Sequence, residues 1–454
     1  MKNRTYYKEM IVIGLPITIQ SIFQASYSLV DQIMVGSLGT ISIAASGLGA
    51  KFSSLVTVTL TAVATVASIL IAQYYGSEDK EGINKSFFSC LYIAIVVMIS
   101  FTVPAVIVPY KIMNLYTTDS ETILEAGKYL RIIAVSFLPM SLTLVFSSLL
   151  RSIELSKYPM YASIMSMSAN IVFNYMFIFG KMGMPKLGLM GAGIGTLLAR
   201  ILEALVLFIV IIKMRKQSKL CLSVIRCRDS TFYRKIKQMM IPILVNEFSW
   251  SVGENIYAAI YGRLGTRALA AVTLTGPLQA MFIGMFSGLS SAAVVMIGKR
   301  LGRDEDDEAY HISKLLIKVG IIASIVISIL LTCIAGFYVQ FFNIEPEVAT
   351  LTRYLIYALS IVLFAKVSNM IVAGGVIRSG GNTKITLWID LIGTWIFGVP
   401  LGLFSAYVLK LPVYAVYFIL SQEEVVRLII GIYVFRKRKW MQKIAKTQET
   451  GLKQ

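Results

Sequence analysis

Two stretches of the sequence decide the architecture: PITIQSIFQASYSLVDQIMVGSLGT at 16–40 and PILVNEFSWSVGENIYAAIYGRLGT at 242–266. A shift of 226 residues aligns them without a gap, so that Pro16 meets Pro242 and the tripeptide LGT meets itself. One residue further out of step, RS at 151–152 meets RS at 378–379. Self-similarity at a fixed spacing indicates repeated structural units. The sequence therefore predicts two copies of one fold.

The composition is that of a polytopic membrane protein. Hydrophobic residues are 56% of the 454, and only 15% are charged, well below the share in soluble domains. The net charge of +19 comes from basic residues in short loops, which favours positive-inside topology over nucleic-acid binding. Twelve apolar stretches are long enough to cross a bilayer, at about 10–36, 47–75, 86–110, 128–151, 158–180, 190–213, 238–262, 272–298, 312–340, 350–377, 384–409 and 412–435.

The longest polar interruption divides the chain in the middle. We predict an N-terminal six-helix lobe at 1–213, a cytoplasmic basic linker at 214–237, a C-terminal six-helix lobe at 238–435 and a cytoplasmic tail at 436–454. Most Lys and Arg fall on the side of the N-terminus, linker and tail, which predicts that both termini are cytoplasmic. Because six is even, both copies enter the membrane the same way round. The expected fold class is an all-α integral membrane protein with twelve transmembrane helices in two parallel six-helix bundles.

Parallel bundles can rock around a central cavity, which is typical of transporters. Three sets of motifs then resemble one family: LVDQIMVGSLGT after GLPITIQSIFQ, NEFSWSVGENIYAAIYGRLGT, and IRSGGNTK with IDLIGTWIFGVPLG. They are similar to the first, seventh and eleventh helices of the multidrug and toxic compound extrusion (MATE) transporters. The resemblance covers nearly the whole chain. It implies export of amphipathic, often cationic compounds by alternating access, driven by entry of protons or sodium.

Other classes fit the residues less well. The loop YYGSEDKEGINKS differs from the Gly-Asp-Arg-Gly-Arg signature of the major facilitator class. A flippase or exporter of a lipid-linked or other metabolite from the same superfamily stays open, although pyrophosphate needs a cationic cavity and the buried acids outnumber the bases. The sequence shows no metal cluster, phosphate loop or nucleophile–histidine pair, so we expect neither an enzyme nor a cofactor beyond the coupling ion.

Four polar residues of the first half share one depth in the membrane. Asp31, Asn174 and Thr196 each lie about five or six residues from the outer end of a helix, roughly 8–9 Å below the surface, and Asn170 is one turn deeper. The resemblance implies that an acid, an Asn–Asp pair and a Thr at these places form a cation site. Asn174 departs from that pattern, which weakens the expectation of sodium at Asp31. Alternatively, the asparagines only connect packed helices.

The second half places its charged residues nearer the cytoplasm. Glu247, Lys366 with Asn369, and Asp390 lie about 6–11 residues from the inner helix ends, and Glu254 lies two turns above Glu247 on nearly the same face. A lone lysine in lipid is costly, so we expect Lys366 to pair with an acid. The network is predicted to couple transport or to be a structural salt bridge, and Glu254 is predicted to meet cationic drug.

Pro16 and Pro242 occupy matching places near the inner ends of the first and seventh helices. A proline inside a helix removes a backbone hydrogen bond and permits bending, whereas a first-turn proline is merely tolerated. The expected partners are small-molecule drugs or toxic compounds and the lipid bilayer, with no nucleic acid. We expect a monomer in the cell membrane (inner or plasma membrane).

Overall fold

The structure is a computed structural model that describes residues 2–216, 230–340 and 345–442. Within these ranges the chain is helical and has no strand, which confirms the all-α class. The first half contains α1 (Lys2–Gly36), α2 (Thr40–Gly76), α3 (Lys80–Ile107), α4 (Pro109–Asn114), α5 (Ser120–Val135), α6 (Phe137–Ser152), α7 (Lys157–Phe179) and α8 (Leu189–Lys216).

The second half contains, in chain order, α9 (Ser230–Arg263), α10 (Thr266–Gly302), α11 (Asp306–Gln340), α12 (Pro346–Asn369), the π-helical segment π1 (Met370–Ile377), α13 (Thr383–Leu391), π2 (Ile392–Gly398), α14 (Val399–Leu403), π3 (Phe404–Val408), α15 (Val413–Leu420) and α16 (Glu423–Arg436). The three π-helical segments interrupt the tenth and eleventh predicted spans. Such wider turns are rare and are frequent at functional sites.

By length and composition, eight of the described helices can cross a membrane, or nine if α5 and α6, bent by 41°, form one span. Helices α1 and α9 and the pair α15–α16 bring the helical segments to the twelve that the sequence predicts. Helices α1 and α9 carry the acids of the two repeats, and α15 and α16 are each short. Polar content and interruption, rather than lack of length in the span, set these three apart.

The internal repeat is visible in the backbone. The two LGT glycines, Gly39 and Gly265, have φ of +101° and +118° and precede helices of equal length, 37 residues each. The turns after those helices contain Glu78 and Asp304, with φ of +59° and +63°. Both pairs are 226 residues apart. Equivalent residues therefore adopt equivalent left-handed turns, which fits a duplicated fold.

The chain forms two compact units, which differ from the predicted lobes at their edges. We call Ile19–Ile236 the N-unit, and Met1–Thr18 with Lys237–Gln454 the C-unit. The inner half of α1 thus belongs to the C-unit, where Glu9 accepts hydrogen bonds from Arg300 at 3.0 and 2.7 Å. The division into lobes at a basic linker stays a prediction, and most of the linker and tail lies outside the described residues.

The core of the C-unit lies between α10, α11, α12 and π1, with Ile13 and Ile17 of α1 packed into it. Pro16 and Pro242 lie in the interior of α1 and α9, which excludes the first-turn alternative for both. Each removes one backbone donor from its helix. Bending at these points stays a prediction.

Candidate functional site

The N-unit brings together all four residues predicted from depth. Asn174 Nδ2 donates to Asp31 Oδ1 at 2.7 Å and to Asn170 Oδ1 at 2.8 Å. Asn170 Nδ2 in turn donates to Thr196 Oγ1 at 3.4 Å. Three helices, α1, α7 and α8, therefore contribute to one hydrogen-bonded group, which we call the Asp31 cluster: Asp31, Asn170, Asn174 and Thr196.

Helix geometry explains why these side chains meet. Asn170 and Asn174 are four residues apart, so both point from the same face of α7. Gly195 of α8 lies against that face, and a Cβ there would be only 2.2 Å from Asn174 Oδ1. The glycine is what allows α8 to approach the asparagines.

The Asp31 cluster has unused capacity for a cation. Both asparagines are almost fully buried, and Asn174 Oδ1 has no hydrogen-bond partner among the described residues. Carboxylate, amide and hydroxyl oxygens are ligands suited to hard cations, and a carboxylate also accepts a proton. The group can therefore hold a proton on Asp31 or a cation among its oxygens.

The sequence analysis missed a polar face that continues inward from this cluster. Tyr27, one turn before Asp31 on α1, is hydrogen-bonded to Thr196. On α8, Glu203 is buried, is hydrogen-bonded to Ser163 and interacts with Arg200. The spacing of Thr196, Arg200 and Glu203, at i, i+4 and i+7, was a helical signal that could have been read from the sequence.

The C-unit residues lie in one region, but with different partners from those expected. Lys366 Nζ is 3.8 Å from Glu424 Oε1, and Asn369 Nδ2 donates to Glu424 Oε2 at 2.8 Å. Asp390 lies 3.8 Å from Arg427 Nε and accepts a hydrogen bond of 2.7 Å from Asn246. The acid that pairs with Lys366 is thus Glu424 of α16.

Glu247 and Glu254 of α9 lie at the edge of this region and are partly exposed. Glu247 is 3.9 Å from Arg378, so the expected salt bridge between Glu247 and Lys366 is wrong. Glu254 interacts with Lys366 and with the Tyr257 hydroxyl. A depth estimate gives the height of a side chain in the membrane and says nothing of the direction in which it points, and this is why the partner was misassigned.

The sequence analysis also missed the charged residues at the start of α16. Glu423, Glu424 and Arg427 come from QEEVVR at 422–427, inside the last apolar stretch, and each side chain is only 7% exposed. Arg427 contacts Glu423 at 3.4 Å and Glu424 at 3.7 Å, and donates to Thr394 of π2. Three charges within five residues of a spanning segment were a readable signal.

Comparison with known proteins agrees with the sequence motifs. The MatE family model matches residues 16–176 and 242–404, so each match begins at one of the two paired prolines. The uncharacterized transporter YisQ of Bacillus subtilis is 26% identical over 424 residues, which is 91% of this chain and 90% of YisQ. The probable multidrug resistance protein NorM of Photorhabdus laumondii is 24% identical, over 88% of this chain and 87% of its own.

Solved structures show the same fold. A crystal structure of MATE in complex with MaL6 has a TM-score of 0.88 over 95% of this chain and 96% of that chain, at 18% identity. An outward-facing multidrug resistance MATE family transporter of the MOP superfamily also has a TM-score of 0.88, over 95% and 96%. The family model covers most of the sequence, and the fold is that of a transporter rather than an enzyme. The chain belongs to the MatE family of membrane transporters.

Proposed function

We propose that this protein is a cation-coupled multidrug antiporter, which exports amphipathic, often cationic compounds by alternating access. Relatives over most of the chain are named as probable multidrug resistance proteins, which supports the substrate class. We further propose that it acts as a monomer in the cell membrane, with both termini cytoplasmic. The excess of Lys and Arg in the loops of that side supports this orientation.

The observation that carries the proposal is the Asp31 cluster. A carboxylate within the membrane is costly unless a partner compensates its charge, and such residues commonly mark ion pathways. The partners of Asp31 in this cluster are neutral amides and a hydroxyl. Asp31 therefore suits a cycle in which a proton or cation binds and leaves, and in which each state favours a different conformation.

The energy available from one ion is sufficient for export. One charge that moves inward gains about 2.3 kcal/mol per 100 mV of membrane potential. At equilibrium this supports a concentration ratio of about fifty for a neutral compound expelled in exchange. A cationic compound carries charge outward and needs a further ion or a pH gradient for the same ratio.

We propose the proton as the coupling ion. Asn174 stands where the resemblance places an acid, so the cluster has one carboxylate instead of two. Its amide directs N–H groups at both Asp31 and Asn170, a geometry that suits a carboxyl better than a sodium ion. Losing one negative charge weakens a metal cation more than a proton bound covalently to Asp31.

A flippase for lipid-linked anions is the second candidate, and the charges of the C-unit argue against it. Pyrophosphate needs a surplus of bases, whereas Asp390, Glu423 and Glu424 outnumber Lys366 and Arg427. A cationic compound is the better match for that surplus of acid.

Purified protein in proteoliposomes tests the proposal. The liposomes are given a proton gradient, a sodium gradient or neither, and uptake of tetraphenylphosphonium is followed in each case. We expect accumulation above the external concentration with the proton gradient alone. Accumulation that follows only sodium would replace the ion, and equilibration without accumulation under both gradients would refute antiport.

A further inference from the structure

The first turn of α16 places three charged side chains inside the C-unit. Glu423, Glu424 and Arg427 are each 7% exposed, and their partners come from neighbouring helices. We call the following residues the α16 cluster: Asp390, Glu423, Glu424, Arg427 and Lys366. Each acid of the cluster lies within 4 Å of a basic nitrogen of the cluster.

The charges of this cluster do not balance. Three carboxylates face two cations, so the fully ionised cluster has one negative charge in excess. The nearby Glu247 and Arg378 neutralise each other, and the partly exposed Glu254 adds an acid rather than a base. Tyr257, Tyr417 and Asn246, the other polar groups that face the cluster, are neutral. A buried, uncompensated charge is strongly unfavourable in a membrane protein, so one positive charge is needed.

Three carboxyls could receive that charge, and their surroundings differ. Glu424 interacts with both cations and accepts a hydrogen bond from Asn369. Asp390 has Arg427 and the amide of Asn246. Glu423 has the weakest cationic support, a 3.4 Å contact with Arg427, and its Oε2 lies 2.5 Å from the Tyr257 hydroxyl, which donates to it. Glu423 is therefore the carboxyl best placed to hold a proton.

The backbone around Glu423 is built for this contact. Gly398 closes the π-helical segment π2, and a Cβ on it would lie 2.1 Å from Glu423 Oε2 and 2.2 Å from the Tyr257 hydroxyl. The carbonyl oxygens of Asn246 and Asn369, both more than nine-tenths buried, have no hydrogen-bond partner among the described residues. Unpaired acceptors beside a cluster of charges point to a small bound donor such as water or a protonated group.

We propose that Glu423 carries a second exchangeable proton, bound in the C-unit independently of Asp31. When a cationic substrate arrives, its charge replaces that of the proton. The O–H bond of the carboxyl breaks, the electron pair stays on the carboxylate and the proton passes to water. This proposal rests on the proposed function, because it assumes a cationic substrate. It implies two protons per cationic molecule exported, one from each unit.

Proton release on substrate binding tests the inference. Purified full-length protein in detergent and weak buffer is mixed with tetraphenylphosphonium, and a pH indicator dye records the protons released per molecule. We expect about two for the wild type, one for Glu423→Gln, one for Asp31→Asn and none for the double variant. Glu347→Gln, which removes an exposed acid of the same unit, is the matched control and should release two.

The outcomes separate the two proposals. If the wild type releases one proton, lost in Asp31→Asn and retained in Glu423→Gln, the second site is refuted and the proposed function stands. If Asp31→Asn releases as much as the wild type while Glu423→Gln loses a proton, the coupling role of Asp31 fails and the second site stands. Release of none by the wild type would refute both.

Charge balance makes one further demand, which a role specific to Glu423 does not. Glu424→Gln leaves two acids and two bases, so the cluster is neutral without a proton. This variant should also lose one proton, although Glu423 is intact, and it keeps the test usable if Glu423→Gln does not fold. Tyr257→Phe removes only a hydrogen-bond donor, so it should keep the number of protons and shift the pH of half-release. Two protons from Glu424→Gln would contradict the charge count.

Discussion

The pairing of Lys366 with Glu424 offers a quantitative test of the C-unit. The two charges are 3.8 Å apart, and their side chains are 23% and 7% exposed. At an effective dielectric constant of about 20, the attraction is about 4 kcal/mol. Removing one partner of a buried pair typically costs about 3–5 kcal/mol, because the other charge is left without compensation. Lys366 is partly hydrated and Glu424 keeps Arg427, so we expect about 2–3 kcal/mol for either single neutralisation.

A double-mutant cycle measures the interaction. Lys366→Met, Glu424→Gln and the double variant are purified in mixed micelles, and SDS titration gives the free energy of unfolding of each. The double variant leaves no orphan charge, so its loss should be about 2 kcal/mol smaller than the sum of the single losses. Lys366→Met with Glu247→Gln is the matched control, because Glu247 contacts Arg378 instead. Losses from Lys366 and Glu424 that add to within about 0.5 kcal/mol would refute the pairing.

Three further predictions concern the N-unit. Gly195→Ala puts a methyl group 2.2 Å from Asn174 Oδ1, so it should cost about 1–3 kcal/mol in SDS titration and reduce gradient-driven export; unchanged stability and export would contradict the close approach. At Asp119, hydrogen bonds from the Thr122 side chain and N–H lower the pKa of the carboxyl, so the helix cap is present above the unfolded-state pKa and is lost as the pH falls through the lower folded-state pKa. Asp119→Ala should therefore accelerate hydrogen exchange at the start of α5 at neutral pH but hardly at strongly acid pH, and equal effects at both would exclude the cap. Lys181→Cys in a cysteine-free background should react with an impermeant maleimide outside intact cells, and reaction only after permeabilisation would reverse the predicted topology.

The sequence predicted the repeat well because it depends on residues with special backbone conformations. Gly39 and Gly265 were paired by their register alone, and both have positive φ. The slip of one residue late in the repeat also has a counterpart, since Glu154 and Gly381 have φ of +66° and +79° and are 227 residues apart. Glycine and turn positions are constrained locally, so they can be read without knowing the tertiary structure.

The two candidate sites differed in predictability for a geometric reason. Asn170 and Asn174 belong to one helix face, and that face had few alternatives in an otherwise apolar helix. Lys366 could reach acids on several helices, and its choice depends on the rotation of each helix about its axis. The π-helical segments change that rotation by the equivalent of an extra residue, which a helical period does not register. The partner from α16 was therefore beyond reach.

Sequence reasoning also located Asp31 by depth but left its inward continuation unread. Tyr27, Arg200 and Glu203 follow helical spacing from residues already chosen. Their recognition needed only the extension of two faces by one or two turns. The excess acid of the α16 cluster, in contrast, required the list of contacts, because charge balance is a property of the assembled group.

The most direct test of the account separates binding from coupling at Asp31. Asp31→Asn and wild-type protein are reconstituted at equal density, and two rates are measured with tetraphenylphosphonium: exchange of labelled for unlabelled compound without a gradient, and accumulation driven by a proton gradient. Asn mimics a permanently neutral Asp31, so the account predicts that exchange persists and uphill accumulation disappears. Glu121→Gln, an exposed acid of the same unit, should retain both. If Asp31→Asn still accumulates the compound against its gradient, the Asp31 cluster is not the coupling site.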